Sequence, residues 1–132
     1  MNLDINHLRK LNFWAGCLHL ISFVLILVLS NDASLPVVAT YLTEAPGTGN
    51  FSDPINLFNL NISYMVAAFM ALSAFFHFFI CLPSTFKKYT TGLKRGINSY
   101  RWIEYSLSST IMIIVILQLN GTADYIALLG IS

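Results

Sequence analysis

Tyr100-Arg101-Trp102-Ile103-Glu104-Tyr105-Ser106 opens a segment that then runs almost wholly apolar from Leu107 to Leu119. On a helix, Arg101 and Glu104 share a face, with Ser108 and Met112 above them on the same stripe. A carboxylate inside a membrane helix costs ~2.5–3.5 kcal/mol on insertion scales and marks a functional site by default. A plainer reading pairs Glu104 with Arg101 near the headgroups. The rest of the chain decides between the two.

Composition makes the segment a membrane span. The chain has 132 residues, 56% hydrophobic and 10% charged, with mean hydropathy +0.69. Soluble domains carry about 25% charged residues, so this is an integral membrane protein with an all-α transmembrane bundle. A net charge of +1, with its few charges not spread over one face, gives no footprint for nucleic acid. Cys17 and Cys81 both fall in apolar runs and read as small buried hydrophobes.

Before the Tyr100 segment, the residues after Arg9-Lys10 form an apolar run broken by Asn12, His19 and Ser22. A cleaved signal peptide would need a shorter apolar run and a small-x-small site, so the run reads as a span. Spans are expected at about 11–30, 58–82 and 99–119, with Pro83 closing the second. The outer loop, 31–57, is rich in β-branched and aromatic residues over 35–43. Its turn signal is Ala45-Pro46-Gly47-Thr48-Gly49-Asn50, and it predicts a short β-hairpin. Residues 84–99 read as a short basic loop. A fourth segment, 122–132, reaches only ~15 Å of a ~30 Å core. It reads as the start of a further helix, and the chain as a single transmembrane domain forming the N-terminal part of a longer protein.

Basic residues precede the first span and fill the connection between the second and third, while the 31–57 loop has acids and no Lys or Arg. The positive-inside rule then predicts a multi-pass protein of the cell membrane with a cytoplasmic N-terminus. In that orientation His19, His77 and Glu104 lie roughly 9–14 Å in from the cytoplasmic boundary, at 1.5 Å per residue. Three ionisable side chains on three helices predict one polar layer inside the bundle. Taken singly, His19 could donate to a neighbouring carbonyl, and His77 could bond Ser73 one turn away. Cys17 and His19 are two apart and face apart, against a zinc site. Two membrane histidines could also ligate a haem. A purely structural membrane subunit is the third reading. No nucleophile–base–orienter set or phosphate loop is present, so no enzyme is expected.

Arg101-Trp102-Ile103-Glu104-Tyr105-Ser106-Leu107-Ser108-Ser109 resembles the third helix of heliorhodopsins, retinal proteins of inverted membrane orientation. Ala15-Gly16-Cys17-Leu18-His19-Leu20 resembles their first helix, and Leu72-Ser73-Ala74-Phe75-Phe76-His77-Phe78 their second. Leu35-Pro36 through Leu42, with Pro46-Gly47-Thr48, resembles their outer loop. Gly121-Thr122-Ala123-Asp124 resembles the start of their fourth helix. The resemblance implies a seven-helix, rhodopsin-like fold for the full protein, with three full spans and part of a fourth here. It implies a light-sensing or signalling protein that does not pump ions, binds all-trans-retinal and forms a homodimer. Glu104 would be the Schiff-base counterion. His19, His77, Arg101 and Tyr105 would form the cytoplasmic-side polar network, and Ser73, Ser108 and Met112 would lie near the chromophore. The family attaches retinal through a lysine on the seventh helix. Lys10, Lys87, Lys88 and Lys94 all lie at or beyond the cytoplasmic boundary, so that lysine is expected from the remaining C-terminal helices.

Overall fold

A computed structural model describes residues 5–132. Among the described residues, three helices are long and apolar enough to cross a membrane: Asn6–Val28, Ile62–Cys81 and Ser99–Leu119. The first belongs to α1 (Ile5–Val28), and the others are α2 (Ile62–Cys81) and α4 (Ser99–Leu119). Between them lie β1 (Ser34–Ala39), β2 (Ile55–Asn61) and α3 (Pro83–Lys94), and α5 (Tyr125–Ile131) follows. The stretch before the first expected span is helical from Ile5, and residues 1–4 lie outside the described ones.

α1 shows how a helix apolar on every side still chooses a face. Leu11, Trp14, Leu18, Ile21, Leu25 and Val28 form an exposed stripe at three- and four-residue steps. Asn12 and Gly16 lie on the packed side. Apolar residues gain nothing by leaving lipid for protein, so close approach is set by small residues. A Cβ added at Gly16 would stand 3.0 Å from the Phe78 ring. Phe13 meets Phe78 edge-on, centroids 5.9 Å apart. α2 is the middle layer, packing against both α1 and α4. It buries Ala67, Ser73, Ala74, Phe76, His77 and Ile80.

The outer connection is a two-stranded antiparallel ribbon running from Ser34↔Asn61 to Ala39↔Ile55, with a bulge at Val37/Val38. The ladder resumes at the Leu42↔Phe51 bridge. The ribbon is pinned to the end of α4. Gln118 Nε2 donates to the Pro36 carbonyl at 3.3 Å, and Val38 N–H to the Ala123 carbonyl at 2.8 Å. Val37, 1% exposed, is wedged beneath it.

Three boundaries differ from the sequence reading. The second span begins at Ile62, because 55–61 pair as β2 and Asn61 caps α2 by accepting from Tyr64 N–H. The first ends at Val28. The basic stretch after Pro83 is a helix, with Pro at its first turn. α3 closes with Gly96 at φ +72°. Ile97 N–H returns to the Gly92 carbonyl and Gly96 N–H to that of Leu93, a Schellman ending. α3 covers the basic end of the bundle with Phe86 and Tyr89, which pack with Ile80, Leu8, Leu93 and Tyr100.

Gly16→Leu overpacks the α1–α2 seam and should cost about 1–3 kcal/mol, read as a lower melting temperature in detergent. Gly16→Leu combined with Phe78→Ala should recover part of the loss. A single variant that melts like wild type would show that the seam has room.

Candidate functional site

Asn98 starts the site. Its side chain accepts the Arg101 N–H at 3.2 Å and caps α4. The cap fixes where the helix begins and so aims Arg101 and Glu104 inward from its first two turns. Glu104 is 2% exposed. Arg101 Nη1 donates to Glu104 Oε2 at 2.9 Å. The same nitrogen lies 3.3 Å from His77 Nε2 on α2, and the guanidinium sits 4.6 Å from the Tyr105 ring centroid. The plainer pairing of Glu104 with Arg101 therefore exists, but its acid is buried while its arginine side chain is 34% exposed, and the pair reaches across to a second helix.

The third helix enters through Asn12. Its amide nitrogen donates to the Leu8 carbonyl at 3.0 Å, which turns Oδ1 toward His77 Nδ1, 3.1 Å away. The hydrogen-bond pattern assigns the proton to Nδ1. His77 thus donates to Asn12 and presents Nε2 as acceptor to Arg101. His19 stacks on His77, with ring centroids 5.4 Å apart and planes 12° from parallel. Both nitrogens of His77 are occupied by other helices, so the local bond to Ser73 does not form. Cys81 is half-buried, its Sγ donating to the Arg9 carbonyl at 3.5 Å.

Beside this chain of contacts lies a cavity of about 370 Å³. His19, Arg101, Glu104 and Tyr105 line its polar end, with Ser73, Ser108 and Met112 alongside and Phe69 and Ile113 as apolar wall. The structure therefore gathers His19, Arg101, Glu104, Tyr105, Ser73, Ser108 and Met112 around one space, and sets His77 immediately behind. Ser73 and Ser108 are buried, and their hydroxyls make no hydrogen bond among the described residues. Glu104 Oε1 likewise makes none, its partner Oε2 being taken by Arg101. No lysine lines the cavity. Sequence reasoning noted Asn12 only as a polar interruption. The signal was available: Asn12 lies seven residues before His19, two helical turns down the same face.

Three membrane-length helices beside an open cavity with a buried carboxylate at its polar end describe a helical membrane protein. The family model described as Heliorhodopsin matches residues 8–132, and the chain belongs to the heliorhodopsin family. That membership implies retinal binding in general. No curated protein matches the chain.

Asn12→Leu leaves the His77 N–H without its acceptor and should lower stability by about 1–3 kcal/mol. In a double-mutant cycle with His77→Phe, the two losses should fall short of additivity by ~1 kcal/mol. Strict additivity of melting shifts would mean the bond contributes nothing.

Proposed function

We propose that the chain forms the counterion half of a light-sensing retinal protein, with Glu104 as counterion to a protonated Schiff base. One observation carries this reading. A carboxylate inside the membrane-spanning bundle lines the cavity with one oxygen bonded to Arg101 and the other unbonded among the described residues. A second cation brought to that oxygen would complete its pairing. The cavity suits the ligand in chemical character, with a polar end at Glu104 and apolar wall from Phe69, Met112 and Ile113. Retinal, when bound, supplies visible absorption and a light-driven change of shape. The residues of this chain do the rest. Glu104 stabilises the positive end, and Ser73 and Ser108 offer hydroxyls along the wall. Arg101, His77 and Asn12, with His19 stacked behind and Tyr105 under the guanidinium, form a relay in which charge or a proton can be redistributed.

The attachment lysine is proposed to come from the family's seventh helix, because Lys10, Lys87, Lys88 and Lys94 all stand away from the cavity. Orientation follows from charge: Arg9, Lys10, Lys87, Lys88, Lys94 and Arg95 belong to one end of the bundle, which the positive-inside rule makes cytoplasmic. The N-terminus is then inside and the ribbon outside, where it would support a homodimer. Signalling is favoured over pumping because the relay lies on the cytoplasmic side of Glu104. The haem reading loses support: both His77 nitrogens are hydrogen-bonded within the protein, and a ligating nitrogen would have to abandon Asn12 or Arg101.

The test is expression of the complete open reading frame with all-trans-retinal. A visible band that hydroxylamine bleaches is expected, and its absence would end the proposal. Glu104→Gln should move the band to the red, since a distant or missing negative charge favours the delocalised excited state. An unshifted or blue-shifted band would remove Glu104 from the role of counterion.

A further inference from the structure

A groove larger than the cavity beside Glu104 opens elsewhere on the molecule. It lies at the basic end, where α1, α2 and the start of α3 meet, with a volume of about 710 Å³. Its floor and walls are Phe13, Trp14, Phe78 and Leu82, and its rim is Arg9 and Lys10. Trp14 is 69% exposed and belongs to the outward stripe of α1. Aromatic rings in such positions settle at the headgroup level of a bilayer. The groove therefore has an apolar part at acyl depth and a cationic part where phosphates lie.

Arg9 is built into this place. Its Nε donates to the carbonyl of Cys81, the last residue of α2, at 2.9 Å. Its guanidinium carbon lies 5.6 Å from the Phe86 ring centroid. One N–H of five is thereby spent on holding the side chain, and the terminal nitrogens make no hydrogen bond among the described residues. Neither Arg9 nor Lys10 pairs with a carboxylate among those residues, where the single ion pair is Arg101–Glu104. A guanidinium fixed in direction, with donors to spare and an ammonium next to it, matches a phosphate diester.

We propose that this groove binds an anionic phospholipid, its phosphate on Arg9 and Lys10 and an acyl chain along Phe13, Trp14 and Phe78. Charge selects the anionic class, since a zwitterionic headgroup brings its own cation to an already cationic rim. The apolar walls select a lipid over free phosphate. The site is independent of the chromophore and of Glu104.

The full protein is reconstituted in bilayer discs of phosphatidylcholine with a minor share of phosphatidylglycerol, then released and weighed intact by native mass spectrometry. Wild type should retain phosphatidylglycerol in preference to phosphatidylcholine. Lys10→Gln touches no packing contact and should lower that preference roughly fivefold, as should Arg9→Gln. Trp14→Ala should weaken retention of both lipids. Lys87→Gln with Lys88→Gln, on the exposed side of α3, should leave the preference unchanged. An equal loss in that control would reduce the effect to general attraction and overturn the site. Absence of preference in wild type, the result if another helix or a second copy closes the groove, would overturn it as well.

Discussion

Arg101 Nη1 stands between two acceptors on two helices, Glu104 Oε2 at 2.9 Å and His77 Nε2 at 3.3 Å. In lipid no water can answer a carboxylate or an imidazole, so each must find its partner within the protein. The arrangement of the three long helices follows from that requirement. α4 supplies the charge pair, α2 brings the imidazole to it, and α1 closes the row with Asn12 and His19. Packing in a bilayer lacks the drive that collapses a soluble core. These few polar contacts therefore do much of the work of fixing which face of each helix turns inward.

The two ends of the bundle hold this layer in register by different means. At the basic end, Arg9 caps the last carbonyl of α2, and α3 folds back under Phe86 and Tyr89. At the other end the ribbon is tied to the α4–α5 turn by Gln118 and by the Val38–Ala123 hydrogen bond. α2 is bounded at both ends by its own chemistry, Asn61 as cap and Pro83 as stop. It can neither slide nor rotate without breaking one of these, and His77 keeps its depth.

Heliorhodopsin membership and the cavity fit one physical picture. Glu104 is buried, one of its oxygens accepts from Arg101, and the residue lines the cavity together with Ser73, Ser108 and Met112.

The sequence by itself determined the membrane class, the number of full spans and the polar layer. Each of these depends on composition and on distance along a helix, which rise per residue sets without any partner. His19, His77 and Glu104 could be set at one depth for that reason. It read α3 as a loop, though Pro83 and Gly96 bracket the helix as start and stop residues do, because a basic run after a span reads first as a loop. It misjudged the start of α2, since the mixed stretch 55–60, apolar at four of its six positions, serves a strand as well as a span, and only pairing with β1 separates the two. Asn12 was missed as a site residue for a related reason. Depth along an axis is local, but the direction in which a side chain points has meaning only once a second helix stands opposite. The tertiary structure alone decided which nitrogen of His77 meets Asn12, which meets Arg101, and which oxygen of Glu104 accepts from Arg101.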